Sequence, residues 1–227
     1  MLTVALQETV RVQNGRAPLL VKHLVRLRAG GCEDDTLARI NQAVLQQAAA
    51  WQEPYGRLGL RVDTDGRVDV DVSSRSSSID ILGGPVAMLV ETDVPTLPPG
   101  GAKPANRDFW DAALLQAVDQ GAHIAVLVDH DGHLIDGSQA TVWLRFEDGL
   151  LTPPTPPAVA GVSRAVVLES ARSVGYTAEE AVLTAEDFAG ADEVIFTTAL
   201  AGAVGARHKT GPAAESLKRL FDTLFTG

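Results

Sequence analysis

Lys103 is the residue whose type and surroundings most suggest chemistry in this sequence. It lies in "LPPGGAKPANRDFW", residues 97–110, where prolines and glycines precede a stretch that favours a helix. The chain holds four lysines against fifteen arginines, so an ammonium group here is an uncommon choice of positive charge. Taken alone, a lysine in such a segment is usually a solvated surface charge. Its role therefore depends on which residues the fold brings near it.

Three other groups follow Lys103 in an order that suits one kind of chemistry. Asp136 ends an apolar strand in "LIDGSQATVW", "AGVSR" opens a helix at Gly161, and Thr197 and Thr198 end the strand "EVIFTT". Lysine, acid, helix start and hydroxyl pair are the four parts of a pyridoxal phosphate pocket. The lysine forms an imine with the cofactor aldehyde, the carboxylate keeps the pyridine nitrogen protonated, and free N–H groups at the helix start receive the phosphate.

Two other kinds of site fit the sequence less well. "DHDGH" places His130 and His133 between carboxylates, but its spacing matches a hairpin turn and no second pair of zinc-type ligands is near. We therefore predict no metal site. Gly100, Gly101 and Lys103 lack the spacing of a mononucleotide-binding loop, and proline follows the lysine where serine or threonine is required.

Composition limits the classes of function. The net charge of −10, without a cluster of lysine or arginine, argues against nucleic acid as a partner. The apolar runs are strand-sized and the N-terminus lacks the pattern of a signal peptide, so we predict no membrane association. The single cysteine, Cys32, fits a reducing compartment, and the three acids that follow it disfavour a reactive thiolate. We expect a cytoplasmic protein with a small-molecule or protein partner.

The periodicity of apolar residues and the turn residues predict an α+β fold. Alternation predicts strands at 3–13, in a hairpin from 55, at "PVAMLVE", in a meander of "HIAVLV", "HLID" and "TVWLRFE", at 179–183 and at "DEVIFTTA". Helical spacing and caps predict one helix that ends at 30–31 and three helices that span 34–52, 106–120 and 161–174. They also predict two helices that begin at 184 and at 212. "SSRSSS" is predicted to be a polar connection. The proline-rich segment 95–104 divides a smaller N-terminal domain, 1–94, from a larger C-terminal domain, 105–227.

The order and spacing of these groups resemble the class IV aminotransferase family, the fold-type IV pyridoxal phosphate enzymes. "QETVRVQNGRAPLLVKHLVRL" looks like the opening motif of the family, and "GYTAEEAVLTAEDFAGADEVIFTTALAGAV" looks like its closing motif. The resemblance implies a two-domain fold like that of D-amino acid aminotransferase and pyridoxal 5'-phosphate as cofactor. It also implies a small-molecule amino substrate and a homodimer with the cofactor between the two domains.

The resemblance also implies roles for individual residues. Lys103 would be the catalytic Schiff-base lysine, and Asp136 the partner of the pyridine nitrogen. The other cofactor-binding residues carried over by position are Val162 and Ser163, for the phosphate, and Thr197 and Thr198, for a further cofactor or substrate contact.

The sequence departs from the family pattern at several places. Asp136 stands where the family normally has glutamate, and Thr141 replaces the usual asparagine. The N-terminus is shorter than is usual in the family and lacks the loop that helps to wall the substrate site. These departures leave a non-catalytic family member, acting as a binding or scaffold protein, as one alternative.

Within the family, two features resemble 4-amino-4-deoxychorismate lyases. The helix start "PLLVKH" carries Leu19 rather than the phosphate-contacting arginine of the aminotransferases, and "TTALAG" resembles the lyase segment ending in Ala-Leu. The implied reaction converts 4-amino-4-deoxychorismate to 4-aminobenzoate and pyruvate, in folate biosynthesis. A class IV aminotransferase acting on branched-chain or D-amino acids remains the other enzymatic alternative.

Overall fold

The computed structural model describes residues 2–74 and 77–227 of the chain. Within these ranges the helices are α1 (Leu20–Ala29), α2 (Asp34–Ala50), α3 (Asp108–Asp119), α4 (Val162–Ser170), α5 (Ala185–Gly190) and α6 (Pro212–Thr226). The strands are β1 (Leu6–Gln13), β2 (Tyr55–Val62), β3 (Val68–Ser73), β4 (Ala87–Glu91), β5 (Ile124–Val128), β6 (Leu134–Gly137), β7 (Thr141–Phe146), β8 (Gly149–Thr152), β9 (Thr177–Glu180), β10 (Glu193–Thr198) and β11 (Gly202–Gly205). Strands and helices mix as the predicted α+β class requires, which confirms that prediction.

The first sheet, with strand order β1-β2-β3, buries one face and leaves the other polar. Residues of β1 alternate between buried and half-buried, as expected of a strand with one face in the core. Its inward side chains join β2 and α2 in one apolar cluster that includes Val10, Leu58 and Ile40. Gln7 and Thr9 lie on the opposite face, which forms one wall of the cavity described below.

The second sheet has the order β11-β10-β7-β8-β9 and separates two apolar clusters. Alternate residues of its central strands face opposite sides, so Trp143 and Ile195 pack with α4 and α6 while Phe196 belongs to the cluster on the other side. Thr197 on β10 is paired with Thr141 on β7. The two strands therefore bring two threonines to the same end of the sheet.

The third sheet, β4-β5-β6, carries an acid at the end of its last strand. Helix α3 covers it with Trp110 and Ala117, which pack in one cluster with Leu127 and Ile135 of the sheet. Asp136 follows Ile135 and lies next to the last residue of β6. The sheet therefore places a carboxylate where β6 gives way to the connection toward β7.

The strand pairing differs from the prediction in three ways. The predicted meander is wrong beyond β6, because β7 pairs with β10 and β8 in the second sheet rather than with β6. The chain turns sharply between Gly137 and Ala140, where a Cβ on Gly137 would meet the Ala140 carbonyl oxygen. β4–β5 and β8–β9 are parallel pairs, although the sequence indicated antiparallel runs. The short strands β8 and β11 were not predicted.

The division of the chain at residues 95–104 stays a prediction. β4 precedes that segment and pairs with β5, which follows it.

The predicted polar connection "SSRSSS" includes Arg75 and Ser76, which lie outside the described residues. Across the described ranges, every helix is too short or too polar to cross a bilayer.

Candidate functional site

A cavity of about 630 Å³ lies between the polar face of the first sheet and the ends of the other two sheets. All six residues predicted to bind a cofactor line it, and they are Lys103, Asp136, Val162, Ser163, Thr197 and Thr198. The cavity also receives Thr141 and three guanidinium groups, those of Arg26, Arg57 and Arg107. The fold thus brings together groups that are spread over most of the chain.

The backbone around Lys103 is fixed against the start of β1. Gln7 N–H donates to the Lys103 carbonyl at 3.0 Å, and Ala105 N–H donates to Ala5 O at 2.8 Å. The preceding turn needs Gly100, whose φ is 63° and where a Cβ would meet Ala29 at 2.5 Å. The prolines and glycines of this segment therefore form a tight turn that ends in a strand-like contact, with Lys103 at the cavity.

The Lys103 amine is electrostatically unusual. No hydrogen bond or ion pair joins its Nζ to another residue of 2–74 or 77–227. Burial lowers the pKa of Lys103 to about 7, helped by the positive charges of Arg107 and Arg26 and opposed by Glu8. A substantial fraction of this amine is therefore uncharged at neutral pH, which is the form that attacks an aldehyde.

Asp136 is a buried carboxylate whose hydrogen-bond partners are backbone groups. Its Oδ1 accepts from Gly137 N–H at 2.9 Å, and its Oδ2 accepts from Val159 N–H at 3.1 Å. Burial raises the pKa of Asp136 to about 7, although these N–H groups and the more distant Arg164 and Arg107 oppose the rise. No salt bridge joins Asp136 to a cation within the described part of the chain. The carboxylate can therefore accept a cationic hydrogen-bond donor from a ligand.

The start of α4 offers backbone donors to the cavity. Its N-cap is Gly161, and no side chain caps the helix. A Cβ at Gly161 would meet Thr141 Oγ1 at 2.5 Å and Arg164 Cβ at 3.1 Å, so only glycine leaves this approach open. Val162 and Ser163 form the first turn, whose N–H groups and helix dipole favour an anion.

The structure gives the two predicted threonines different partners. Thr197 Oγ1 accepts from Trp143 Nε1 at 3.1 Å and lies on the α4 side of the sheet. Thr198 Oγ1 accepts from Ala201 N–H at 2.8 Å in the turn before β11. Since consecutive strand residues face opposite sides, Thr197 is on the same face as its paired residue Thr141, and Thr198 is on the other face. Both threonines line the cavity, at the end of β10.

Two arginines of the cavity wall were missed in the sequence. Arg107 Nη2 donates to Ser138 O, and its guanidinium lies 5.1 Å from the centre of the Trp110 ring. Arg57 lies in the middle of β2, and its side chain forms no hydrogen bond or ion pair with the residues that the structure describes. Two features of the sequence could have indicated these arginines. The alternation in "YGRLGLRV" places Arg57 on the side away from the apolar core, and Arg107 follows Lys103 by four residues.

A buried charged cluster adjoins the cavity and was also missed. Glu8 accepts from Arg26 Nε at 2.8 Å and from Arg26 Nη2, and its Oε2 lies 2.7 Å from His23 Nδ1. Burial alone would raise the pKa of Glu8, but Arg26 and His23 lower it to about 2. The sequence feature that could have indicated this cluster is Glu8 itself, a charged residue at an inward position of β1 in the stretch that resembles the family's opening motif.

The "DHDGH" segment forms the turn between β5 and β6. Asp129 Oδ1 accepts from the N–H groups of Asp131 and His133 at 3.0 and 2.8 Å. Asp129, Asp131 and His133 have ligand atoms within 4.8 Å of one another, an arrangement common among exposed acidic groups without an ion. These hydrogen bonds account for the residues as parts of a turn, and the segment does not line the cavity.

Comparison with known proteins gives an independent description of the chain. A family model described as amino-transferase class IV matches residues 5–208. The branched-chain-amino-acid aminotransferase of Pseudomonas aeruginosa is 26% identical over 124 residues, which cover 51% of this chain and 40% of that protein. The chain therefore matches less than half of the length of this curated relative.

Two solved structures resemble the fold over nearly the whole chain. A hypothetical aminotransferase from Mycobacterium tuberculosis, in its PLP-bound form, matches with a TM-score of 0.84 at 25% identity, covering 98% of this chain and 89% of that one. The 4-amino-4-deoxychorismate lyase from Pseudomonas aeruginosa matches with a TM-score of 0.77 at 22% identity, covering 98% and 92%. The second likeness shows the fold alone, and together the two confirm the predicted fold type.

Proposed function

The chain belongs to the class IV aminotransferase family, and on this premise we propose that its cavity holds pyridoxal phosphate between Lys103 and the start of α4. The M. tuberculosis relative is described in a PLP-bound form, which supports this cofactor. When bound, the cofactor supplies an aldehyde that condenses with amines and a ring that accepts electrons.

The donor set of the cavity fits this cofactor. Lys103 offers an amine without a partner among the described residues, and its pKa of about 7 suits a nucleophile. Asp136 is a buried acid whose partners are neutral, so a protonated pyridine nitrogen would supply the missing positive charge. Gly161 leaves the uncapped start of α4 open to a phosphate. Each of the three ends of the cofactor thus has a complementary group.

We further propose that the reaction is that of a 4-amino-4-deoxychorismate lyase. The observation that carries this choice is the chemistry of the cavity wall, where most lining side chains are polar and where Arg57 and Arg107 face the same space. 4-Amino-4-deoxychorismate carries two carboxylates and a ring amine, and these polar groups match such a wall. A branched aliphatic side chain would instead need a continuous apolar surface.

Lys103 has the central role in this reaction. Its Nζ takes the proton from the carbon that bears the substrate amine. The bond between the adjacent ring carbon and the enolpyruvyl oxygen then breaks, and the substrate ring becomes aromatic. Lys103 Nζ returns the proton to the departing enolpyruvyl group, which becomes pyruvate. Arg57 and Arg107 hold the carboxylates while this proton moves.

A class IV aminotransferase is the second candidate, and one observation favours it. Curated relatives with which this chain aligns include the branched-chain-amino-acid aminotransferases of Pseudomonas aeruginosa and Escherichia coli. In that reaction Lys103 moves a proton between two carbons and no carbon–oxygen bond breaks.

Product analysis separates the two candidates. The lyase proposal predicts that purified protein with pyridoxal phosphate converts 4-amino-4-deoxychorismate to 4-aminobenzoate and pyruvate in equal amounts, without an amino acceptor. Conversion of the bound cofactor to its pyridoxamine form by glutamate or leucine, without release of pyruvate from aminodeoxychorismate, would favour the aminotransferase instead.

The homodimer and the cytoplasmic location implied by the family resemblance belong to the same proposal. Light scattering of the purified chain at several concentrations tests the dimer, since a mass of one chain at all of them would exclude it. Fractionation of cells that express the full-length protein tests the location.

A further inference from the structure

Trp143 lies behind the cavity wall and contacts it at one point. This residue of β7 is fully buried and packs in an apolar cluster with Val162 of α4 and Ile195 of β10. Its indole N–H is a donor only, and a buried donor without an acceptor destabilises a fold. The acceptor is Thr197 Oγ1, at 3.1 Å. The hydrogen bond therefore joins a residue outside the cavity lining to a residue within it.

The direction of this hydrogen bond determines what the Thr197 hydroxyl can do. A hydroxyl group has one proton to donate and two lone pairs that accept. The Trp143 N–H occupies a lone pair, so the Thr197 proton points away from the indole. The buried hydroxyl of Thr152 donates its proton to Val142 O at 2.8 Å, whereas no residue in the ranges that the structure describes accepts the proton of Thr197. That proton is thus available to a ligand in the cavity.

Thr197 lies beside the start of α4. It is paired with Thr141 on the neighbouring strand, and both side chains are on the same face of the sheet. Thr141 Oγ1 in turn lies next to Gly161, the N-cap of α4, where a Cβ would approach it to 2.5 Å. The first turn of α4 favours an anion. A donor hydroxyl at this place complements the backbone donors, since an ionised phosphate oxygen accepts hydrogen bonds and donates none.

We propose that Trp143 is a positioning residue that directs the Thr197 hydroxyl proton toward an anion at the start of α4. A phenylalanine at this position would supply apolar packing but no N–H, and the Thr197 hydroxyl could then rotate among three staggered positions. The indole thus contributes orientation as well as volume. This inference rests on the proposed function, because it takes the phosphate of pyridoxal phosphate as the anion.

Two aldehydes that differ in one group measure the contribution of Thr197. Pyridoxal and pyridoxal phosphate both form an imine with an amine, and only the second carries the phosphate. The ratio of the pyridoxal to the pyridoxal phosphate dissociation constant therefore reports on the phosphate contacts. Imine absorption in the full chain freed of cofactor gives both constants for the wild type, Trp143→Phe, Thr197→Val and the double variant.

A double-mutant cycle distinguishes orientation from packing. Thr197→Val removes a hydrogen bond to a charged group but keeps the shape of the side chain, so the ratio should fall about 10- to 100-fold. Trp143→Phe should lower the ratio about threefold or more, because one of three hydroxyl positions is no longer selected. In the Thr197→Val background, Trp143→Phe should have no further effect. An equal loss in both backgrounds, or a wild-type ratio in Trp143→Phe, would overturn the inference.

Trp51→Phe is the matched control. Trp51 packs against the apolar cluster of the first sheet, its Nε1 has no hydrogen-bond partner among the described residues, and it does not line the cavity. Its replacement removes the same atoms without affecting Thr197, so the ratio should equal that of the wild type. Thr197→Ser, which keeps a hydroxyl, should retain a larger ratio than Thr197→Val.

The indole N–H signals give a test that needs no change at Trp143. The chain has three tryptophans, and heteronuclear NMR spectra of Trp51→Phe and Trp110→Phe assign their signals. Inorganic phosphate, at concentrations that displace pyridoxal phosphate, should shift the Trp143 signal in the wild type and leave it in place in Thr197→Val. An unshifted Trp143 signal in the phosphate-saturated wild type would contradict the inference. If circular dichroism shows that Trp143→Phe is unfolded, this measurement decides.

The imine band separates a failure of the proposed function from a failure of this inference. If the wild type forms no imine band with either aldehyde, the proposed function fails, while the phosphate-dependent shift of the Trp143 signal still tests the orientation of Thr197. Absence of both the imine band and the shift would overturn both.

Discussion

Two buried carboxylates of this chain, Glu8 and Asp136, have opposite electrostatic surroundings. They are 2% and 5% exposed, so both have lost most of their contact with water. Glu8 is bound by Arg26 and His23, and its pKa falls to about 2. Asp136 accepts hydrogen bonds from backbone N–H groups, and its pKa rises to about 7. Equal burial therefore gives a permanent anion in one place and a readily protonated acid in the other.

The difference separates residues that hold the fold around the cavity from residues whose charge is not paired within the described part of the chain. Glu8 has its cations within the chain, so its charge stabilises the contact of β1 with α1. Asp136 lies in the cavity and needs a cation that the described residues do not supply. The lysines repeat the pattern. Lys209 Nζ donates to the carbonyls of Phe188 and Ala191 at 3.2 and 2.9 Å, whereas no hydrogen bond or ion pair joins Lys103 Nζ to another of the described residues.

The largest effect is expected from replacing Lys103. Lys103→Ala should abolish the adduct that borohydride fixes between the protein and pyridoxal phosphate, because the amine that forms the imine is gone. Mass spectrometry of the reduced protein measures the adduct. Lys209→Ala is the matched control and should retain it. An adduct that persists in Lys103→Ala would show that another lysine carries the cofactor.

The next largest effect is expected on stability. Glu8→Ala leaves Arg26 buried without its carboxylate, and breaking a buried ion pair in this way costs about 3–5 kcal/mol of the free energy of unfolding. Urea denaturation measures the change. Asp34→Ala removes the carboxylate from the exposed pair with Arg28 and should cost less than about 1 kcal/mol. Equal effects of the two changes would contradict the stabilising role of the buried Glu8 carboxylate.

Asp136→Asn is expected to impair catalysis while the fold stays intact. The carboxamide has the size of the carboxylate but no charge to hold a protonated ring nitrogen. Turnover should fall about 10- to 100-fold, since a hydrogen bond to a charged group contributes about 1.5–3 kcal/mol. Asp136→Glu restores the residue that the family normally has and should retain more activity than Asn. An Asn variant as active as the wild type would remove Asp136 from the mechanism.

The last prediction concerns pH and the cofactor-free protein. The pKa of Asp136 is about 7 in the folded chain, against an ordinary value of 3.8, so the folded state binds more protons between these values. Stability from this group is full below pH 3.8 and is lost as the pH rises through 7. Asp136→Asn has no such loss, so the difference in melting temperature between the variant and the wild type should shift in favour of the variant between pH 4 and pH 8. The shift is at most roughly 10 °C, since a rise of about three pKa units corresponds to about 4 kcal/mol and about 1 kcal/mol moves the melting temperature of a chain of this size by about 2–4 °C. A difference that stays constant at all pH values would contradict the raised pKa.

The sequence predicted those parts of the site that have a local pattern. A lysine in a proline-glycine segment, an acid at a strand end and a glycine before an apolar helix are visible within a few residues, and Lys103, Asp136 and Val162 do line one cavity. Their assigned roles remain predictions. The fold class was predictable for the same reason, since the strand and helix periods are local.

The remaining features depend on contacts between distant segments. Alternation in β2 shows that Arg57 points away from the apolar core, but not that this face borders a cavity. The Glu8–Arg26 pair joins a strand to a helix that follows it, and its link to Ala160 spans most of the chain. The pairing of β7 with β10 likewise overrides the sequence proximity of β6 and β7.

The visible spectrum of the purified full chain, with and without added pyridoxal phosphate, tests the central claim most directly. We predict an imine absorption band of one cofactor per chain, fixed by borohydride onto the peptide that contains Lys103. Colourless protein that gains no band at any cofactor concentration would contradict this account and favour a family member that binds or scaffolds without catalysis.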